Sequence, residues 1–292
     1  MIVVRRDGAL HLIEQVEHGR IAGELADAWG NERFETPTPR SPVRTAASRH
    51  DEGWRAWDAR VLFHELERRP LHFLEIDATE HVRLYRQGVE RVALGDVYAG
   101  VLVGMHWTGL YRGRWSAPGA RGRLDLGADG RAAQDDAVDT EERRWIEAKR
   151  LAWTAAEPRA AFETRLWHNY ELLQLWDLLS LYLCVMPSRP AAEPGPARPW
   201  GPQLAALEHS AEDVLLPPVR THPFGPAERI TVGVRRPGEI WLDPYPFARS
   251  GIAVDVVSAV VPDRAYTHSE LAARVRRTPA SVTTWRLAPW SR

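Results

Sequence analysis

Four histidines and two aspartates carry the chemistry that this sequence suggests. His50 and Asp51 are adjacent, His18 lies upstream, His81 and His106 lie downstream, and Asp177 sits in a long apolar stretch. Along the chain they read His, His-Asp, His, His, Asp, which supplies four imidazoles and two carboxylates. A neighbouring His and Asp on one helical turn can project toward adjacent ions, and the Asp can bridge them. An all-nitrogen-and-oxygen set suits iron, with manganese or zinc as alternatives, geometry rather than raw affinity choosing among them.

Each residue also has a plainer reading. His18, a turn after Glu14 and Gln15, could be a surface histidine, and His50-Asp51 a helix-end pair. Asp177 is harder to dismiss, because Leu172, Leu173, Leu175, Trp176, Leu178, Leu179 and Leu181 surround it in sequence. A buried carboxylate must be paired, hydrogen-bonded or metal-bound. His106, inside "VLVGMHWTGLY", raises the same demand. His81 has the weakest support, since "TEHVRLYRQGVERV" has a polar face; its spacing to His106 lets two successive helices give one imidazole each. His168 is the main rival, but it precedes Asp177 by about 2.5 helical turns, which points the two side chains to opposite faces. Gln15, Gln174, Tyr170 and Thr108 are within helical reach as partners that would fix ligand tautomers. Trp54, Trp57, Trp107 and Trp176 stand near the proposed ligands and read as packing or as an apolar pocket wall.

The ligands need helices to hold them. Residues 2–14 alternate around Asp7-Gly8 and predict a hairpin. Residues 15–29 have helical spacing and end at Gly30-Asn31. After the Pro-rich "ETPTPRSP", Ser41-Pro42 starts the helix that carries His50 and Asp51. Residues 59–78 read as irregular. A helix capped by Thr79 runs to about Leu94, and a second runs from Asp96 to about Tyr111. Residues 113–136 read as a loop, either a disordered surface stretch or a lid. A charged helix follows over 139–155, and Pro158 opens a long helix to about Met186. Beyond it, 191–227 reads as a Pro-rich linker or strap, and 228–292 as a small β-rich appendage with the short helix "THSELAARVRR". The expected fold is mainly α: a helical bundle over 1–190 with a small antiparallel β appendage built from both termini, because three or more strands are more stable than a lone hairpin.

Composition narrows the function classes. The 292 residues carry a net charge of −1, which predicts no general attraction to nucleic acid or membranes. Hydrophobic residues, 44 % of the chain, suffice for a real core. The single cysteine, Cys184, excludes an internal disulfide and reads as a core residue. The start "MIVVRRDGALHL" is too short and too charged for a signal peptide, and no apolar run approaches the roughly 20 residues of a membrane helix. A cytoplasmic protein with a small-molecule substrate is expected. Lys149 is the one lysine, which removes Lys from catalytic candidacy almost everywhere.

The phrases "QVEHGRIAGELADAWGN", "AASRHDEGWRAWD", "EHVRLYRQGVERV", "YAGVLVGMHWTGLY" and "NYELLQLWDLLSLYLC" resemble the bacterial family called domain of unknown function 3891, over nearly the whole chain. The ligand order over about residues 10–185 also resembles the HD superfamily of helical metalloenzymes, and its six positions look like the dinuclear subset that includes phosphohydrolases and mixed-valent diiron oxygenases such as myo-inositol oxygenase. The resemblance implies an HD-like bundle with two metal ions, held by His18, His50, Asp51, His81, His106 and Asp177. It departs in one place. Many members read His-Asp-x-Gly-Lys, whereas here His50-Asp51-Glu52-Gly53 is followed by Trp54, with Arg55 next. The missing Lys weakens the case for phosphomonoesterase activity, although Arg55, Arg112 or Arg114 could bind an anion. The expected function is a diiron oxygenase acting on a small polar or anionic substrate. Asp51 and Arg55 would be catalytic, and Trp54, Trp107, Tyr111 and Arg112 would contact substrate. The alternatives are a metal-dependent phosphohydrolase and a non-catalytic metal- or ligand-binding protein.

Overall fold

The computed structural model describes residues 1–114, 127–187, 197–199 and 212–291. The chain opens with β1 (Ile2–Arg6) and β2 (Ala9–Ile13), joined by Asp7 and Gly8, which both take positive φ. The asparagine, aspartate and glycine preference of such turns explains why the hairpin was legible. Next come α1 (Gln15–Ala28), α2 (Arg40–Arg49), the short α3 (Arg55–Asp58), and a two-residue ladder of β3 (Phe63–His64) with β4 (Arg69–Pro70). The helices α4 (Ala78–Gly95), α5 (Val97–Arg112), α6 (Gly127–Ala152) and α7 (Arg159–Val185) follow. The remaining elements are β5 (Arg198–Pro199), β6 (Val214–Leu215), β7 (Val219–Arg220), β8 (Ala227–Glu228), β9 (Thr231–Arg236), β10 (Glu239–Asp243), β11 (Ile252–Pro262), α8 (His268–Arg277) and β12 (Ala280–Pro289).

The expected helical bundle with a small antiparallel appendage is corrected by the sheet. Among the described residues, eight strands pair in the order β1-β2-β11-β12-β10-β9-β6-β5, and the sheet is mixed. The pairs β10–β12 and β5–β6 are parallel, while β11 is antiparallel to both β2 and β12. The fold is therefore α/β in composition, with a large mixed sheet packed on the helices in place of a small antiparallel accessory. The hairpin and the strands within 228–292 lie where expected, whereas β3 and β4 fall in the stretch read as irregular and β5 to β7 in the expected linker. Trp285 and Leu287 are buried between the exposed Thr284 and Arg286, the period-2 pattern of a sheet with one covered face. What local pattern could not show is that the terminal hairpin and the C-terminal strands merge into one sheet with parallel pairs, which needs long crossover connections.

Helices α1 and α7 lie against this sheet. Trp285 is fully buried and its indole Nε1 donates to the Leu183 carbonyl at 2.8 Å, tying β12 to α7. The main apolar core is continuous from Leu25 and Val89 through Leu175 and Leu179 to Val254, Val256 and Leu287. Helix α7 is buried on almost all sides from Leu172 to Met186, because it is packed between the sheet and the other helices. Two local expectations also shift. The cap of α4 is Asp77, whose carboxylate accepts from the Thr79 and Glu80 amides, so Thr79 lies inside the helix. Helix α6 starts at Gly127, so residues 127–136 are helical; 115–126 of the expected loop lie outside the described residues, as does much of the expected 191–227 linker. Among the described residues, no helix is long and apolar enough to cross a membrane.

Candidate metal centre

Four helices and one turn bring the candidate ligands together. His18 is on α1, His50 caps the end of α2, Asp51 follows it, His106 is on α5 and Asp177 is on α7. The crossing of α1 and α2 is tight because Gly23 has no side chain: a Cβ there would sit 2.6 Å from Ser48 Cβ. This contact lets the His18 and His50 rings meet, with centroids 4.8 Å apart, and the His50 and His106 rings meet at 4.9 Å. The turn after Asp51 is pinned in a similar way. A Cβ on Gly53 would fall 1.9 Å from the Leu84 carbonyl oxygen, so only glycine lets the His-Asp turn rest on α4.

Two overlapping groups result. The ligating atoms of His18, His50 and Asp51 all lie within 4.8 Å of one another, and so do those of His50, His106 and Asp177. All five residues are buried. His18 Nε2 is 2.8 Å from Asp51 Oδ2, and its Nδ1 is 3.7 Å from Asp177 Oδ1. His50 Nε2 is 3.2 Å from Asp177 Oδ1 and 3.9 Å from Asp51 Oδ2.

The hydrogen bonds around the centre decide where the imidazole protons sit. Ser180 donates its hydroxyl proton to the Asp177 carbonyl at 2.8 Å, so its oxygen can only accept from His18 Nδ1, 3.0 Å away. His50 Nδ1 is 2.8 Å from the Ala47 carbonyl and must donate to it. In both neutral rings Nε2 then carries the lone pair, which in His18 is turned toward Asp51 Oδ2 at 2.8 Å, while His50 Nε2 lies 3.2 Å from Asp177 Oδ1. Acceptor faces acceptor, an arrangement that requires a positive charge, as protons or as a cation. His50 Nε2 also lies off the line of a hydrogen bond to Asp177, and Asp51 Oδ1 and Asp177 Oδ2 are buried without a hydrogen-bond partner. With metal–ligand bonds of about 2.0–2.2 Å, neighbouring ligand atoms stand roughly 3–3.5 Å apart, and the observed separations bracket that range. The residues present therefore fit a cation of the iron, manganese or zinc type.

The electrostatics agree. Burial opposes charge on His50, but Asp51 and then Asp177 overcome it and raise its pKa to about 9. Burial would raise the Asp51 carboxyl, yet His50 and His18 outweigh it and hold Asp51 well below the usual carboxylate range. His106 moves the other way, down to about 4, because desolvation dominates.

His81 stands at the edge of this centre and belongs to neither ligand group. Its Nδ1 is hydrogen-bonded to the Tyr111 hydroxyl, and its ring packs 5.6 Å from Trp54 and 4.7 Å from Tyr85. Desolvation lowers its pKa to about 4. Trp54 and Trp107 are buried as expected and form a wall with Tyr85, whose ring stacks on Trp107 at 6.3 Å. Tyr85 itself escaped the sequence reading. Its phenol stands against the Asp51 carboxylate, and burial, Asp51 and Asp177 push its pKa well up. Its position on α4, four residues after His81 and on the same face, was the available signal. Ser180 was missed too, though it follows Asp177 by three residues.

The proposed anion-binding arginines face elsewhere. Arg55 is largely exposed and pairs with Glu52 at 3.1 Å, and Arg112 pairs with Asp139 and Glu142. Neither reaches the centre. Arg114 likewise pairs with Glu142. His168, the rival ligand, bonds the Arg220 carbonyl through Nε2 at 3.0 Å, in keeping with the opposite-face argument. Thr108 bonds back to its own helix at Gly104.

No curated protein and no solved structure matches the chain. Residues 1–263 match the family DUF3891, described as a protein of unknown function, and the chain belongs to that family.

Proposed function

We propose that the chain is a metal-dependent enzyme of the HD type, with an iron centre that oxidises a small, uncharged polar substrate. The observation that carries the metal is the pair of unprotonated Nε2 atoms, His18 Nε2 facing Asp51 Oδ2 at 2.8 Å and His50 Nε2 standing 3.2 Å from Asp177 Oδ1 without a hydrogen bond. His18, His50, Asp51, His106 and Asp177 would hold it. Bound iron would supply the power to activate dioxygen and remove a C–H hydrogen. Ser180 and the Ala47 carbonyl hold the two ring tautomers that leave Nε2 free to ligate. Trp54, Tyr85 and Trp107 are buried beside the centre and would keep water from it. Phosphoryl transfer depends on positive charge around the transferring group. Here Arg55 and Arg112 are committed to carboxylates away from the centre, which favours an uncharged substrate over a phosphate ester.

A metal-dependent phosphohydrolase is the second reading. Its support is that five clustered ligands suffice for a single Lewis-acidic ion such as zinc or manganese. The two-ion centre expected from the ligand order would draw on Asp51 as the bridge and on a sixth group. One experiment separates these readings. Protein purified without added metal is analysed for metal identity and stoichiometry, then loaded with Fe(II) under argon and exposed to air. Iron content with dioxygen uptake, and an electron paramagnetic resonance signal of a mixed-valent pair if two irons bind, supports the oxidative reading. Exclusive uptake of zinc or manganese, with brisk release of phosphate from a phosphomonoester panel, replaces it with the hydrolase.

A further inference from the structure

We infer that His81 is a hydrogen-bond donor to the substrate rather than a metal ligand, and that Tyr111 sets it in that role. The inference rests on the proposal that the five-residue cluster binds a metal beside a polar substrate. The Tyr111 phenol lies on the last turn of α5, and its contact with His81 Nδ1 is the one hydrogen bond either side chain makes among the described residues.

A neutral imidazole has one N–H and one lone pair. If His81 donated from Nδ1, the phenol proton would have no acceptor among the described residues, and the partly buried hydroxyl would lose a hydrogen bond. If Tyr111 donates to the Nδ1 lone pair, both groups are satisfied. The second arrangement puts the ring proton of His81 on Nε2. A ring nitrogen that carries a proton is not a ligand, because metal ligands must be deprotonated. His18 and His50 have the reverse arrangement: each donates from Nδ1 and leaves Nε2 with its lone pair toward the cluster. The three histidines are therefore sorted by their Nδ1 partners, a serine oxygen and a backbone carbonyl for the two ligands and a phenol donor for the third.

Position agrees with this sorting. His81 shares no ligand group with the other five residues, and Tyr85 stands next to it, packed toward His106 at 6.2 Å between ring centroids. Trp54 closes the other side of the imidazole. A neutral N–H donor flanked by aromatic rings fits an uncharged oxygen acceptor, a hydroxyl or a carbonyl. It is a poor match for a phosphate or carboxylate, which would call for a guanidinium or ammonium. The substrate class is thus narrowed to small neutral molecules bearing hydroxyl or carbonyl oxygen. Tyr111 is a positioning residue that acts through His81.

The test uses the whole chain loaded with Zn(II), a diamagnetic probe. Nitrogen-15 correlation spectra of the imidazoles should show His81 as the Nε2–H form with Nδ1 unprotonated, and His18 and His50 as Nδ1–H forms. In Tyr111→Phe the His81 Nδ1 resonance should lose its hydrogen-bonded shift while His18 and His50 stay in place. His81→Gln should keep the wild-type metal content, whereas His106→Gln should lose metal. An unprotonated, metal-shifted Nε2 on His81, or loss of one ion per chain in His81→Gln, overturns the inference. The tautomer is read on the wild-type protein, so a variant that fails to fold leaves that measurement intact. A wild-type protein that binds no metal would instead overturn the proposed metal enzyme, and it would do so without reference to His81.

Discussion

At the scale of single residues, the centre is governed by which atom holds each proton. Ser180 receives the Nδ1 proton of His18 because its own proton is already committed to the Asp177 carbonyl. Ser180→Ala removes that acceptor and should weaken metal affinity by about 10–100-fold, the usual cost of losing a partner that orients a ligand. Calorimetric titration with Zn(II) would measure it, and an unchanged affinity would show that Ser180 does not fix the tautomer. A pH effect belongs here as well. In the metal-free protein His50 holds its proton up to about pH 9, against 6.5 as its ordinary value. The stability that proton contributes is fully present below about pH 6.5 and is lost as pH rises through about 9. The thermal midpoint of metal-free protein should therefore fall between those values. Metal-loaded protein, in which the cation takes the place of the proton, should fall less. Differential scanning calorimetry on both forms reads this, and a rising midpoint for the metal-free form contradicts it.

At the scale of elements, the centre depends on how closely helices approach. The His-Asp turn rests on α4 only because Gly53 presents no side chain to the Leu84 carbonyl. Gly53→Ala forces the two apart, and overpacking of this kind costs about 1–3 kcal/mol. The turn that moves carries Asp51, so metal affinity should fall together with the thermal midpoint. Arg55→Ala, one turn away, is a control: an exposed ion pair contributes about 0–1 kcal/mol, and metal affinity should be unchanged. If Gly53→Ala lowers stability while the Zn(II) affinity stays at the wild-type value, the turn does not position Asp51.

At the scale of the whole molecule, helices and sheet share one core. Trp285 comes from β12, near the end of the chain, yet it is buried against α7 and bonds the Leu183 carbonyl there. Trp285→Ala should cost about 3–5 kcal/mol. Because the apolar core is continuous from α1 and α4 to β11 and β12, the loss should appear as one unfolding transition moved to lower temperature, with metal released in the same step. Two separated transitions, with the helical one unmoved, would show that the sheet folds independently of the centre.

The sequence by itself determined the kind of side chain available and the local elements that carry it. Helices announced themselves by spacing and by Pro158, the hairpin by Asp7-Gly8, and Asp177 by being a carboxylate amid leucines, since each signal lies within a few neighbouring residues. Five of six proposed ligands, His18, His50, Asp51, His106 and Asp177, lie together in the folded chain. Tertiary structure decided what local pattern cannot hold. Sheet order depends on pairing between residues far apart, such as Leu12 with Ala259, so the size and mixed character of the sheet were hidden. Arg55 and Arg112 look like anion binders in isolation, and only their carboxylate partners reveal otherwise. His81 has the right spacing, but a phenol thirty residues away in sequence, on the next helix, supplies its Nδ1 partner. Residue type and spacing state what a side chain can do. Which neighbour takes its proton or its charge is settled only when distant segments pack.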